Sequence, residues 1–322
     1  MKALKIGSVT IENPLVLAPM AAVNCPAFRI LCKRYGAGLI YSPMIHSEQL
    51  TRLIKDDREK AFKLFIDFEK EEHPLTAQII GSKPDNIADA AEILSEYADI
   101  IDINFGCCSS DELANKSGAF FIKHPEFIKK VLAAVIGRVK NPVTAKIRIG
   151  WDDKNINALE VSKIIEDCGC AAVAIHGRTR KQGFSEKANW DIIKEVKEKI
   201  NIPVIGNGDI FKPGTAKFLL ESTNVDFIMI GRAALGNPFI FRRTLSLLES
   251  GKNIPEPTKE QLIGSFFEFL EIYEKQERQS FSELKDHAMW FTKGLAGSRR
   301  IRQDIMSIKD KETLASYAKK LL

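Results

Sequence analysis

Several short apolar runs of the sequence contain or end in polar residues whose types suit ligand chemistry. Lys146 and Arg148 are two residues apart in one run, so a strand there would place both on one face. Gln78 lies in a second run and His176 ends a third. Because a buried polar group without a partner costs several kcal/mol, we expect a ligand or a hydrogen-bond network to satisfy these residues.

Two glycine-containing segments suit an anionic group. Asn207-Gly208-Asp209 ends one apolar run and Gly231-Arg232 ends the next. Glycine leaves backbone N–H groups accessible, and a guanidinium pairs well with phosphate. Together with Gln78 and Lys146, the segments suit flavin mononucleotide (FMN), because a cation near the ring stabilises a reduced, anionic flavin.

These residues need a scaffold, and the chain contains eight apolar runs, at residues 15–20, 39–45, 76–81, 100–106, 143–150, 172–177, 202–209 and 227–233. Amphipathic helical patterns lie between them, among them 86–97, 126–139, 158–168, 190–199 and 215–221. Strands that alternate with helices pair with one another in parallel. Eight such units predict an α/β fold, a (β/α)8 TIM barrel. The carboxyl ends of its strands would then carry the polar residues.

The two ends of the chain differ from this repeat. Residues 4–14, with a turn at Gly7-Ser8, predict a hairpin that closes the barrel floor. Pro255 and Pro257 mark a linker, followed by helical patterns at 261–277, 281–295 and 313–322. We therefore expect a barrel domain over residues 1–245 and an all-α helical domain over residues 255–322.

Bulk properties restrict the class of protein. Of the 322 residues, 45% are hydrophobic and 28% charged, and no apolar run reaches the roughly 18 residues of a membrane span. The N-terminus lacks the apolar core of a signal peptide, so we expect a cytoplasmic protein, and a monomer. The net charge is +5, and residues 287–322 carry eight basic and three acidic residues, which is compatible with a polyanionic partner.

The six cysteines do not predict a metal site. The pairs Cys107-Cys108 and Cys168-Gly169-Cys170 fall at opposite ends of the predicted barrel, so one ion cannot join them. Cys25 and Cys32 are seven residues apart on a helical pattern, which favours packing. We expect free thiols and no metal.

Several motifs, in order along the chain, resemble those of the tRNA-dihydrouridine synthase family. They are Leu17-Ala18-Pro19-Met20-Ala21-Ala22-Val23, Ala77-Gln78-Ile79-Ile80-Gly81, Asp102-Ile103-Asn104-Phe105-Gly106-Cys107, Lys146-Ile147-Arg148, His176-Gly177-Arg178-Thr179, Asn207-Gly208-Asp209 and Gly231-Arg232. Each motif alone is weak, whereas the ordered set is specific. The helical tail, with Trp290-Phe291-Thr292-Lys293-Gly294-Leu295, is similar to the family's C-terminal domain.

This resemblance implies FMN-dependent reduction of a uridine in tRNA to 5,6-dihydrouridine, with NADPH or NADH as the electron source. Hydride would reach C6 of the uracil, and Cys107 would protonate C5 as the general acid. Thiols are mostly protonated at neutral pH and able to donate. Asn104 and Arg148 would hold the polar edge of the uracil.

The resemblance also assigns the other residues. The expected cofactor-binding residues are Pro19, Met20, Ala21, Gln78, Lys146, His176, Asn207, Gly208, Asp209, Gly231 and Arg232. The expected RNA contacts are Arg178 and Arg180 near the site and Arg299 and Arg300 in the basic part of the tail.

The sequence departs from the family pattern at some positions. Cys108 stands where the family usually has proline, so it could form a disulfide with Cys107 or act as the acid itself. Asp111-Glu112 occupies a stretch that is commonly basic, and Asn24-Cys25 replaces Thr-Asp.

Two other functions remain open at this point. One is a flavin-dependent oxidoreductase of a free pyrimidine, similar to a dihydroorotate-oxidising enzyme, although a small substrate needs no basic helical tail. The other is an RNA-binding protein that has lost reductase activity through the change beside Cys107.

Overall fold

The computed structural model describes residues 4–21, 23, 25–276 and 279–321, so Ala22 and Asn24 of the motifs above lie outside it. A closed barrel of eight parallel strands forms its centre, and the last strand pairs with the first. The barrel strands are β3 Leu15–Leu17, β4 Leu39–His46, β5 Leu75–Ile80, β6 Ile100–Asn104, β7 Val143–Arg148, β8 Ala172–His176, β9 Val204–Asn207 and β10 Phe227–Ile230.

These strands confirm the eight predicted apolar runs and the TIM barrel. Several runs extend beyond their strand, because the sequence pattern does not separate a strand from the loop at its carboxyl end. The run predicted at 202–209, for example, contains the strand Val204–Asn207.

A hairpin closes the floor of the barrel, as predicted. Its strands, β1 Leu4–Ile6 and β2 Val9–Ile11, pair antiparallel around Gly7. Ile6 and Ile11 are fully buried in a cluster with barrel residues that include Tyr41, Ile100, Ala172 and Phe227. Apolar packing therefore fills the lower barrel and leaves the polar residues to the opposite end.

Helices surround the barrel and continue into the tail. They are α1 Pro26–Arg34, α2 Ser47–Asp56, α3 Arg58–Phe65, α4 Pro84–Leu94, α5 Ser110–Ala114, α6 Pro125–Ile136, α7 Ala158–Asp167, α8 Trp190–Lys199, α9 Pro213–Thr223, α10 Phe239–Ser250, α11 Lys259–Tyr273, α12 Phe281–Phe291, α13 Ser298–Ser307 and α14 Lys311–Lys320. Helix α8 has the predicted bounds, and α10 extends beyond residue 245, where we expected the barrel domain to end. In the described part of the chain, no helix combines the length and apolarity needed to cross a bilayer.

The tail contains one helix that the sequence did not predict. Helix α13 is strongly charged, but Ile301 and Ile305 are four residues apart and both are buried. They join a core that includes Phe266 and Phe291. Two buried residues in ten are too few for a clear helical pattern, so packing against the other tail helices decides the structure of this segment.

The tail docks closely against the barrel. Tyr35, which follows α1, donates a hydrogen bond of 3.0 Å to Glu268 on α11. Gly236, in the loop between β10 and α10, has a left-handed φ of +65°, and a Cβ there would lie 2.2 Å from main-chain atoms of Trp290. A residue with a side chain at position 236 would therefore push the tail away.

Gly236→Ala should destabilise the protein by about 3 kcal/mol or more, because it combines left-handed strain with a clash against backbone. Gly251→Ala is the matched control, since Gly251 has a φ of +69° and nothing lies within 4 Å of a Cβ placed there. We expect the control to cost about 1 kcal/mol. Urea unfolding of both variants measures the difference, and equal losses would contradict the close approach.

Candidate active site

A cavity of about 530 Å³ opens at the carboxyl ends of the barrel strands. This volume is typical of a small-molecule or cofactor site. The predicted site residues in its wall are Pro19, Met20, Ala21, Gln78, Asn104, Cys107, Lys146, Arg148, His176, Asn207, Gly208, Asp209, Gly231 and Arg232. The thiol, the cationic strand and the glycine segments thus face one space.

Buried hydrogen bonds link three neighbouring strands beneath this cavity. Thr144, Asp102 and Gln78 are aligned in the register of β7, β6 and β5. Asp102 accepts hydrogen bonds from the Thr144 hydroxyl at 2.6 Å and from the Gln78 amide at 2.8 Å. The Gln78 carbonyl oxygen in turn accepts from Asn104 at 2.8 Å. The side chains of Gln78 and Asn104 are therefore fixed before any ligand arrives.

Burial shifts the pKa values of two charged groups in this layer. It raises the pKa of Asp102 to about 6, although the hydrogen bonds from Thr144 and Gln78 oppose the shift. Burial and the neighbouring Arg148 lower the pKa of Lys146 to about 8, while Asp102 acts in the opposite direction. The site therefore contains a cation that titrates near neutral pH, a property frequent at functional sites.

The backbone of Cys107 is held from two sides. The Asn104 side-chain oxygen accepts hydrogen bonds of 2.9 Å from the N–H groups of Gly106 and Cys107. The Cys107 carbonyl accepts from Ala119 at 2.8 Å. Gly118 has a φ of +58°, and a Cβ there would lie 2.7 Å from that carbonyl oxygen. These contacts orient the Cys107 loop, although position 108 carries cysteine where the family usually has proline.

Cys108 lines the same cavity as Cys107, and both are free thiols. The Arg148 guanidinium lies beneath this loop and donates to the carbonyl of Gly106 at 2.9 Å and to those of Thr179 and Gly183 at 3.0 and 2.8 Å. Arg148 therefore joins the loop after β6 to the loop after β8 as well as facing the cavity.

His176 is neutral. Burial and the nearby cations, Lys146 first among them, lower its pKa far below the usual value. An N–H of Arg178 lies 3.2 Å from Nε2 of His176. A guanidinium only donates, so Nε2 is the acceptor and Nδ1 carries the proton. His176 therefore offers the site a neutral hydrogen-bond donor.

Arg178 does not fit the expected RNA contact, because it is only 2% exposed. Its guanidinium pairs with Asp209 at 2.7 Å and donates to the carbonyls of Ser185 and Glu186. Arg232, which is half-exposed, reaches the same Asp209 carboxylate at 3.3 Å. Arg178 thus positions Asp209 in the cavity wall and has no surface to present to RNA.

The other expected RNA contacts lie at or beyond the rim. Arg180 is half-buried, with its guanidinium 4.5 Å from the ring centre of Trp151. Arg299 and Arg300 are exposed on α13, outside the cavity wall. Glu112, one of the two acidic residues in the stretch that is commonly basic, is 5% exposed and accepts a hydrogen bond from the Ser117 hydroxyl.

Sequence reasoning missed two aromatic residues at the cavity. Phe184 and Phe211 line it, yet their side chains are 63% and 50% exposed. The Arg232 guanidinium lies 5.3 and 5.2 Å from the two ring centres. Phe184 lies in a polar loop away from the apolar runs, and that was a signal, since a phenylalanine there has no core to join; Phe211 follows the run 202–209 closely and gave no such signal. Asp102 was also missed, although it shares a strand face with Asn104.

The barrel and its site define an enzyme of the (β/α)8 class. Among solved structures, an old yellow enzyme homologue from Zymomonas mobilis is similar at a TM-score of 0.57 and 15% identity, covering 81% of this chain and 95% of that one. Morphinone reductase in complex with tetrahydroNAD is similar at a TM-score of 0.56 and 14% identity, covering 81% and 93%. At this identity, the likeness extends to the fold alone.

The family model for dihydrouridine synthase (Dus) matches residues 16–321, and the chain belongs to that family. It is 39% identical to tRNA-dihydrouridine synthase B of Pasteurella multocida over 95% of this chain and 92% of the relative. It is 43% identical to tRNA-dihydrouridine synthase B of Vibrio vulnificus over 79% and 77%.

The raised pKa of Asp102 predicts how stability depends on pH. Because the ionised carboxylate is disfavoured in the folded protein, it costs stability above pH 6, and the cost disappears as pH falls toward 4. The stability of the cofactor-free wild type relative to Asp102→Asn should therefore rise by roughly 2–3 kcal/mol between pH 7 and pH 4. Urea unfolding across this range measures the difference.

Thr144→Val provides the control for this experiment. The substitution removes a hydrogen bond that lowers the pKa of Asp102, so this pKa should rise further. In the Thr144→Val background, the gain in stability relative to the variant that also carries Asp102→Asn should therefore begin at higher pH. A stability difference that does not change with pH would mean that Asp102 is not the titrating group.

Proposed function

We propose that the protein is a cytoplasmic, monomeric tRNA-dihydrouridine synthase that uses FMN and NADPH or NADH to reduce a uridine to 5,6-dihydrouridine. The observation that carries this proposal is that Cys107, Lys146 and Arg232 share one cavity at the carboxyl ends of a barrel. Membership of the dihydrouridine synthase family supports the reaction. The names of the relatives in Pasteurella and Vibrio support tRNA as the substrate.

The residues in the wall fit FMN. Arg232 and the loops at Gly208 and Gly231 form a cationic, small-residue cradle that suits a phosphate group. Lys146 lines the same cavity and donates to Asn207 at 3.4 Å, and its charge suits the polar edge of the ring. When bound, FMN supplies the hydride that is added to the uracil.

Cys107 provides the proton that completes the reduction. Hydride addition at C6 leaves excess electron density at C5, so C5 needs an acid positioned across the base. The Asn104 and Ala119 hydrogen bonds fix the backbone of Cys107, which lines the cavity, and its thiol lies 3.6 Å from the Ser109 hydroxyl. A fixed donor of this kind contributes typically a 10²–10⁴-fold rate increase.

The uridine must leave the folded RNA to reach this cavity, which costs a few kcal/mol. Phe184 and Phe211 offer exposed rings at the entrance, and the proposed role of Asn104 and Arg148 is to bind the polar edge of the base. Stacking on such rings is worth about 1–3 kcal/mol per base, enough to offset much of the cost of extrusion.

The helical tail, residues 255–322, is the proposed tRNA-binding domain. Arg299 and Arg300 are exposed together at the start of α13, with the exposed Arg302 beyond them. Arg180, half-buried in the loop after β8, is the proposed further contact on the barrel. Phosphate contacts of this kind bind RNA without reading its sequence.

The two alternatives predict different outcomes. An oxidoreductase of a free pyrimidine would act on the nucleobase without RNA, and a binding protein would leave tRNA unmodified. Mapping dihydrouridine in total tRNA from cells with and without the protein separates the proposal from both alternatives. Loss of dihydrouridine at defined positions, restored by the wild-type gene, supports the proposal, and an unchanged map contradicts it.

Cys107→Ala should retain bound flavin and lose uridine reduction by at least about 100-fold, because only the proton donor is removed. Cys108→Ala is the matched control and should keep its activity, since no hydrogen bond from the described residues aims Cys108. Flavin absorbance and dihydrouridine yield from a tRNA substrate are the two measurements. Equal activity of Cys107→Ala and wild type would overturn the acid assignment, and loss in Cys108→Ala alone would transfer it to Cys108.

Arg299→Ala with Arg300→Ala should raise KM for tRNA about 10-fold and leave kcat and flavin content unchanged. Each phosphate contact that is lost should also make the salt dependence of binding shallower. Lys319→Ala with Lys320→Ala, at the end of α14, removes the same charge elsewhere in the tail and serves as control. A KM that is unchanged in the arginine variant, or raised equally in both, would exclude a specific contact at α13.

A further inference from the structure

Three side chains with metal-binding atoms meet where the tail docks on the barrel, and none of them lines the cavity. Cys25 immediately precedes α1 of the barrel, and Glu283 and His287 are one turn apart on α12 of the tail. The thiol sulfur, a carboxylate oxygen and a ring nitrogen all lie within 4.8 Å of one another. Among residues 4–21, 23, 25–276 and 279–321, this is the single group of three such residues.

The distance between the sulfur and nitrogen atoms suits a shared ion. Sγ of Cys25 lies 3.5 Å from Nε2 of His287. In a tetrahedral site, with zinc about 2.3 Å from sulfur and about 2.0 Å from nitrogen, two such ligand atoms are about 3.5 Å apart. The separation of these two atoms therefore already matches that of two ligands of one ion.

The surroundings favour an ion with borderline chemistry. His287 is fully buried, and its ring stacks on Phe269 at 4.3 Å and meets Trp290 edge-on at 4.9 Å. Glu283 accepts a hydrogen bond of 3.0 Å from the Tyr273 hydroxyl, which orients its carboxylate. A ligand set of sulfur, nitrogen and oxygen in an apolar shell selects zinc over magnesium or calcium, which prefer oxygen alone.

The charges of the three side chains suit a divalent ion. One thiolate, one carboxylate and one divalent cation sum to zero charge, which reduces the cost of burying them together.

We propose that Cys25, Glu283 and His287 bind a zinc ion that fastens the helical tail to the barrel. On binding, the Cys25 S–H bond breaks, the proton goes to solvent and a zinc–sulfur bond forms, with no change in oxidation state. Nothing in the sequence pattern joins these residues, because only pairs of cysteines suggested metal ligands.

The test uses the full-length protein purified without chelator and dialysed, with zinc measured by mass spectrometry. We expect one zinc ion per chain in the wild type, and loss of it in Cys25→Ser and in His287→Gln. Cys32→Ser is the matched control, because Cys32 is buried on α1, seven residues after Cys25 and outside the cluster, and it should keep the zinc.

Cobalt provides a second measurement that does not depend on variants of the cluster. Co²⁺ added to chelator-treated protein should produce a thiolate charge-transfer band and the visible bands of a tetrahedral site. The double variant Cys107→Ala with Cys108→Ala should give the same spectrum, which excludes the cavity thiols as its source. This measurement decides the question if Cys25→Ser or His287→Gln fails to fold.

A chelator should lower the melting temperature of the wild type and leave that of Cys25→Ser unchanged. A wild type without zinc that gives no cobalt–thiolate band would overturn the proposal and leave a simple thiol–imidazole hydrogen bond. Zinc that is retained in both cluster variants would overturn it as well, by assigning the ion to other residues.

Discussion

The site depends on one buried carboxylate. Asp102 is inaccessible to solvent and accepts hydrogen bonds from residues on the strands to either side, which fixes the amide of Gln78 and, through it, that of Asn104. Asn104 then holds the backbone of Cys107. A raised pKa is the cost of this arrangement, and the benefit is that polar side chains under the cavity have one orientation each. Parallel strands in register make it possible, since Thr144, Asp102 and Gln78 are direct neighbours.

The barrel separates apolar and polar residues along its axis. Its floor is closed by the hairpin through Ile6 and Ile11, whereas the carboxyl ends carry four cations around His176: Lys146, Arg148, Arg178 and Arg232. Like charges at this density repel, and two features relieve the repulsion. Asp209 neutralises part of the charge between Arg178 and Arg232, and His176 stays neutral. The remaining positive potential is suited to an anionic ligand.

The sequence was sufficient for the barrel and for most of the cavity wall. Strands buried on both faces give unmistakable apolar runs, and the rule that chemistry lies at their carboxyl ends then selects residues such as Lys146 and Gly231. Contacts between side chains that are far apart in the sequence could not be predicted. Nothing near Arg178 indicates that Asp209, 31 residues later, will pair with it and bury it, and Cys25 and His287 are 262 residues apart. Helix α13 was missed because its order comes from the packing of Ile301 and Ile305, which local pattern does not encode.

The contact between Gly236 and Trp290 is made by main-chain atoms on the tail side. Such a contact does not depend on which side chain stands at position 290, so the tail residue is free to vary while the fit is preserved. The whole constraint falls on the glycine, five residues after Gly231 in the proposed phosphate cradle. At this point of the interface, tails of different sequence can therefore fit the same barrel, provided that the barrel keeps an atom-sized gap at that loop.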